Sequence, residues 1–305
     1  LVTTASWHLR YTGAVQLLLN ALIAGSLLAL VAGGLSLVYG TMGIFNLALG
    51  QLALVGGYVT WFAMSSGLSF SLALLVGLTA GVLASWLTYV VAVRPFFGLH
   101  PHLPIVTTVA WGMVLDGALL LVFGEQPVSL LPEWRSTFAF FGGRVSELQL
   151  GLCITTLLIV AVAAHTLHAT ALGRRIRAVV LHAPAALSLG IAAPALHLLL
   201  FLASGLLAAC AGIFLALDQS LSPTLAFTLT IRAYAAVICG GRGHFWGAVA
   251  CAYGIALLEQ LVVGLPWLGG DYLPAGYQFS VTLAVIIIVL LVRPTGLFVG
   301  RSRTT

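Results

Sequence analysis

The chain has 305 residues, of which 61% are apolar and only 6% charged, with a formal net charge of +5; an ordinary soluble domain is roughly 25% charged. So little charge cannot clothe a water-facing surface, and the arginines are scattered between apolar runs rather than gathered into a nucleic-acid-binding patch. All twelve basic residues are arginine, and a Walker-type phosphate loop requires a lysine, which excludes that kind of ATPase within this chain.

The apolar runs are about 20 residues long, the length of helix that crosses a bilayer core. Runs such as Leu27-Leu28-Ala29-Leu30-Val31 do not alternate in polarity as a membrane β-barrel strand must. Spans are predicted near 14–38, 43–64, 70–93, 104–123, 148–171, 195–217, 246–264 and 278–292. The first is longer than the core of a cleavable signal peptide and is expected to stay as a span. A ninth, 224–240, is weaker because it holds Thr228, Thr230 and Arg232.

Charge placement argues for that ninth span. Arg94, Arg174, Arg175, Arg177, Arg242, Arg293, Arg301 and Arg303 are expected on the cytoplasmic side, and Glu125, Glu133, Glu147 and Asp271 elsewhere. Placing both the 172–194 loop and the C-terminal tail inside needs an even number of crossings between them, so 224–240 must cross, as an interrupted helix. The N-terminus then lies outside. The expected fold is an all-α, polytopic transmembrane bundle with about nine crossings and two interrupted helices, forming one domain over 1–305. The four cysteines, Cys153, Cys210, Cys239 and Cys251, lie within apolar runs and read as packing residues.

Between the first two spans, Tyr39 to Gln51 offers almost no polar loop. Non-helical backbone at membrane depth persists only where protein or a wet cavity surrounds it. Gly40, Gly43 and Gly50 are candidate break positions there, as are Gly240, Gly241 and Gly243 in a second glycine-rich segment. Asn46 and Gln51 fit either interhelical packing or a translocation path. Asp116 and Glu259 lie near the middle of apolar spans, where a carboxyl is costly; a cation or proton relay and a hydrogen-bonded structural role both remain open, with Arg232 a candidate partner for either acid. Gly77-xxx-Gly81, Gly205-xxx-Ala209 and Ala208-xxx-Gly212 permit tight helix crossings. His165 and His168, three residues apart, lack a third partner for a metal.

Outside the spans, the most distinctive segment is Gly173 to Ile191. Read as a helix, it places Ile176, Val179 and Val180 on an apolar stripe beside a basic end. Orientation by positive charge and contact with anionic lipid would explain the arginines. An ordered stripe suits a docking surface for a cytoplasmic partner.

In order and spacing these segments resemble the branched-chain amino acid permease family of ABC importers, which also serves urea and short amides. The resemblance runs from about Leu17 to Gly300. It is carried by Val38-Tyr39-Gly40 with Gly43-Ile44-Phe45-Asn46, Arg94-Pro95, Gly173 to Ile191 ending in Leu189-Gly190-Ile191, Gly240-Gly241-Arg242-Gly243 with Gly247-Ala248, and the tail Leu290 to Leu297. Where the family commonly has a histidine and then an acidic residue after the break asparagine, this chain has Leu49 and Gln51. Near the middle of the coupling loop, Leu181 and His182 stand where an acid is usual.

The resemblance implies a type II ABC importer-like permease, not itself an enzyme, in the bacterial inner membrane. Its implied partners are a second permease subunit, identical or homologous, two cytoplasmic ATPase subunits and an external substrate-binding protein. ATP would be used by the ATPases, with no cofactor on this chain. A polar solute crossing an apolar bundle needs a polar-lined route, which makes Asn46, Gln51 and Asp116 the expected pathway residues; the resemblance implies that Arg174, Arg175, Arg177, Ala178, Leu189 and Gly190 in the loop at about 172–194 couple to the ATPases. The rival reading is an ion-coupled secondary transporter working through Asp116 and Glu259.

Overall fold

A computed structural model describes residues 2–100, 102–130, 136–140, 143–241, 243–264, 274, 276–293 and 296–298. Its helices are α1 (Val2–Met42), α2 (Leu49–Ser65), α3 (Phe70–Thr88, prolonged by a π-helical turn to Val93), α4 (Leu103–Phe123), α5 (Glu147–Ala169), α6 (Ala171–Leu181), α7 (Ala183–Ser188), α8 (Ala193–Asp218), α9 (Leu225–Gly240), α10 (Phe245–Gly264) and α11 (Tyr277–Val292). Six of these are long and apolar enough to cross a membrane, and α9 and α11 are shorter apolar helices.

The centre of the bundle is α1, which lies against α8 and α10, while α2 lies between α3 and α8. Leu30, Val31, Leu35, Leu49, Leu52, Leu54, Tyr58 and Ile213 are wholly buried there. Small residues bring the backbones together, as their spacing predicts. Gly212 abuts the Ala53 carbonyl, Gly205 abuts Ser85, and Gly81 meets Ala209, so α2, α3 and α8 cross with only small side chains between them. The outer faces of α3, α4, α5 and α11 remain apolar and exposed, the pattern of helices solvated by lipid.

The bundle has two distinct ends. At one, Val128 pairs with Leu221 through both backbone bonds, Leu130 N–H donates to Ala216, and Gln149 donates to Asp218. At the other, the Leu297 N–H reaches the Cys239 carbonyl and the rings of Phe97 and His197 meet edge-on. α9 runs from the first end to the second, so the 172–194 loop and Leu297 lie at the same end.

Two expectations need correction, and one further element appears. The segment 224–240 is one continuous helix from Leu225 to Gly240; the irregular backbone flanks it, and the hydroxyl of Thr230 bonds back to the Ala226 carbonyl, which satisfies a polar side chain inside the helix. The first break lies later than expected, because α1 continues to Met42 and α2 starts only at Leu49. The loop before α5 also carries a short antiparallel hairpin, β1 (Thr137–Phe140) with β2 (Gly143–Ser146), within the all-α bundle. Its edge is closed by α1: the Gln16 amide donates to the Arg144 carbonyl and accepts from the Arg144 N–H, as a neighbouring strand would. The hairpin runs directly into α5, where Ser146 and Gln149 form a capping box. Arg135, Glu133, Arg242, Asp271, Arg301 and Arg303 lie outside the described residues.

Candidate functional site

The break between α1 and α2 is residues 43–48. Gly43 takes φ +68°, a left-handed conformation in which a side chain is strained, and so turns the chain out of α1. The exposed backbone groups then find specific partners. Gly43 N–H donates to Tyr39, Leu47 N–H donates to the Thr108 hydroxyl at 3.3 Å, and Ala48 N–H donates to the Asn46 side-chain oxygen at 3.1 Å. Asn46 thus restarts the helix through a local side-chain turn. The rings of Tyr39 and Phe45 stack and that of Tyr234 meets Phe45 at a tilt, each centroid 3.9 Å from the next, and together they hold the break against α9.

Gly40 and Gly50 are not break positions: Gly40 lies in the last turn of α1 against Gly243, and Gly50 lies in the first turn of α2 against Ala226 and Thr230. Close approach is what glycine supplies at both. Gly50 N–H donates to the Thr230 hydroxyl at 2.9 Å. The second break follows the same division, because Gly240 ends α9 while Gly241 and Gly243 carry the positive φ values.

Asn46, Gln51 and Asp116 lie along the seam between this break and α4. Gln51 Nε2 donates to Asp116 Oδ2 at 3.0 Å, and Gly112 leaves room for the Gln51 amide. Asn46 and Gln51 are buried and Asp116 is half-buried. Each keeps one atom without a hydrogen-bond partner among the described residues: Asn46 Nδ2, Gln51 Oε1 and Asp116 Oδ1. A buried polar atom left unpaired costs roughly 1–3 kcal/mol, and three such atoms share this seam.

Glu259 sits elsewhere, with two partners at its Oε1. Arg232 on α9 approaches it at 3.3 Å and the Thr282 hydroxyl on α11 donates to it, which ties three helices together. This pairing resolves the choice of partner for Arg232.

The loop segment forms two helices. Thr170 caps α6 by accepting from Gly173, and His182 Nδ1 caps α7 by accepting from Ala185 at 3.1 Å. Ile176, Val179, Ala186, Ala193, Leu196 and Leu200 make a separate small core that fixes α6 and α7 to the start of α8. Val180 is half exposed and lies outside this core, at the edge of the stripe, one turn beyond Ile176. Arg174 and Arg175 are exposed; Arg177 folds back, donating to the Leu167 carbonyl at 2.6 Å. Leu189 is exposed and Gly190, with φ +79°, ends α7.

Thr108 and Tyr234 support the break and were not singled out by the sequence, while Thr230 stood out only as a polar residue in its span and Phe45 only as part of the first glycine-rich block. A threonine or aromatic within an apolar span carries no signal until its neighbour across the bundle is known.

The branched-chain amino acid transport system / permease component family matches residues 17–291. The high-affinity branched-chain amino acid transport system permease protein BraD of Pseudomonas aeruginosa is 27% identical over 298 residues, covering 93% of this chain and 95% of that protein. A probable branched-chain amino acid transport permease protein LivH of Methanocaldococcus jannaschii is 28% identical over 300 residues, covering 95% and 94%. Among solved structures, an inward-facing putative metal-chelate type ABC transporter aligns with a TM-score of 0.51 at 17% identity, covering 92% of this chain and 85% of that one, a likeness of fold. With the match spanning nearly the whole bundle, the chain belongs to the branched-chain amino acid transport permease family: it is a polytopic helical permease component and not an enzyme.

Proposed function

We propose that this chain is the membrane-spanning subunit of an ABC importer that moves branched-chain amino acids or related small polar solutes across a bacterial inner membrane. A second permease subunit, two cytoplasmic ATPases and an external binding protein complete it. The observation that carries the reading is the α6–α7 unit. It is anchored by its own apolar core, yet presents Arg174, Arg175 and Leu189 outward. Charge alone would orient a loop without such a core. A lever that receives motion from an ATPase requires one, and Arg177, Ala178 and Gly190 complete it.

The pathway in this reading follows the α2–α4 seam. Asp116 is the half-exposed member, on a helix whose outer face also exposes Val106, Met113 and Leu121. A second permease subunit covers that face, and Asn46, Gln51 and Asp116 offer the solute their unspent hydrogen-bonding atoms. The ion-coupled alternative is weakened because Glu259 is committed to Arg232 and Thr282.

The test is ATP hydrolysis by the chain reconstituted with its ATPase and binding-protein partners. Solute-loaded binding protein should stimulate hydrolysis, and R174Q/R175Q should abolish the stimulation while leaving assembly intact. Stimulation unchanged in that variant would remove the docking role.

A further inference from the structure

At the loop end of the bundle, a cavity of about 710 Å³ opens between the last turn of α1, helix α6 and the start of α10. Among the described residues, three basic side chains line it, His168, Arg177 and His244, and no carboxylate does. Phe245 and Trp246, the first residues of α10, lie on one wall. A helix start has N–H groups without intrahelical partners and a partial positive charge. Across the cavity, Thr41 and Met42 close α1, where carbonyls lack helical partners. Ser36 also lines it and is 3% exposed, yet its hydroxyl has no hydrogen-bond partner among the described residues. The remaining surface is apolar, notably Leu167, Ile176 and Leu181.

We propose that this cavity holds the phosphate headgroup of an anionic phospholipid. The basic side chains and the α10 N-terminus take the phosphate. Hydroxyls of a headgroup such as phosphoglycerol donate to the carbonyls ending α1, and the apolar wall receives the start of an acyl chain. A basic pocket between spans at a cytoplasmic face is the electrostatic setting for such a lipid, and this placement rests on the orientation proposed above. The lipid would bridge α6 to α1 and α10, joining the ATPase lever to the first break: Gly40 and Gly43 lie in the same wall.

Native mass spectrometry of the full-length chain in mixed phosphatidylglycerol and phosphatidylcholine tests this. Wild type should retain phosphatidylglycerol about tenfold over phosphatidylcholine, a preference of roughly 1.4 kcal/mol. H168Q/H244Q should lose most of that preference. Should that pair misassemble, V180E, which places a negative charge at an exposed position of the rim, must lower it as well. Millimolar inorganic phosphate should leave the lipid in place. Equal retention of both lipids by wild type, or an undiminished preference in a folded variant, would overturn the site. Complete displacement by inorganic phosphate would overturn the lipid as its occupant. None of these readings depends on transport, so failure here leaves the importer assignment standing.

Discussion

Gln51 donates its amide N–H to the Asp116 carboxylate at 3.0 Å, a polar bond between α2 and α4 made one turn above the break that ends at Ala48. The bond leaves Gln51 Oε1 and Asp116 Oδ1 unspent. A purely structural pair needs only the bond, whereas a pathway also needs the unspent atoms. Q51E and D116N each keep shape while changing charge or donor capacity. D116N is expected to slow uptake about tenfold, equivalent to roughly 1.4 kcal/mol of barrier, with normal protein abundance in the membrane. Normal uptake by D116N would return the pair to packing.

Asn46 provides a sharper separation of roles. N46D keeps the oxygen that accepts from Ala48 N–H but loses Nδ2, the atom without a partner. N46L loses both. If Asn46 lines the path, N46D should lower uptake while the protein stays folded, and neither variant should alter the external binding protein's affinity for its solute. Uptake lost only in N46L, together with folded protein yield, would identify a capping role alone.

The Arg232–Glu259 pair predicts a stability effect without a transport signature. E259A leaves a guanidinium among α9, α10 and α11 without its carboxylate, and loss of one partner of a buried pair costs about 3–5 kcal/mol at full burial, less here because Arg232 is partly exposed. The expected result is a lower melting temperature in detergent, with uptake per folded molecule retained. A carrier that used Glu259 for ion coupling would instead keep its stability and lose gradient-driven uptake.

Close packing makes its own prediction. A methyl group at Gly212 would strike the Ala53 carbonyl, and backbone cannot give way as a side-chain tip does. G212A should destabilise the bundle by about 1–3 kcal/mol or more, whereas G117A, where a Cβ meets nothing within 4 Å, should be silent. Thermal unfolding of both variants under the same conditions checks the contrast.

Orientation can be read chemically. In a version freed of its four native cysteines, T137C on the hairpin and L181C at the end of α6 occupy opposite ends of the bundle. A membrane-impermeant thiol reagent should label T137C in intact cells and L181C only after permeabilisation. Labelling of both from outside would invert or dismantle the proposed topology.

Much of the fold is legible in composition and run length, since about 20 apolar residues have few stable alternatives in lipid. The helices α3, α4, α5, α8 and α10 fall close to their expected bounds. What stayed hidden was non-local. Whether Gly40 is a break or a contact depends on Gly243, two hundred residues away, and a glycine in the sequence announces room without saying for what. The Glu259 alternative had the same origin: an acid in a span is ambiguous until Arg232 and Thr282 are seen around it. The hairpin escaped because β1 and β2 are only four residues each and take their outer partner from Gln16. The polar seam was legible in residue type, while its pairing of Gln51 with Asp116 was not.

The most direct measurement of the central claim is uptake of radiolabelled leucine into proteoliposomes containing the chain with its ATPase partners, with the binding protein supplied outside. Accumulation that requires ATP in the lumen and the external binding protein, and that ignores ion gradients, is the result expected of an importer permease. Accumulation driven by a proton or sodium gradient with neither ATP nor binding protein present would contradict it.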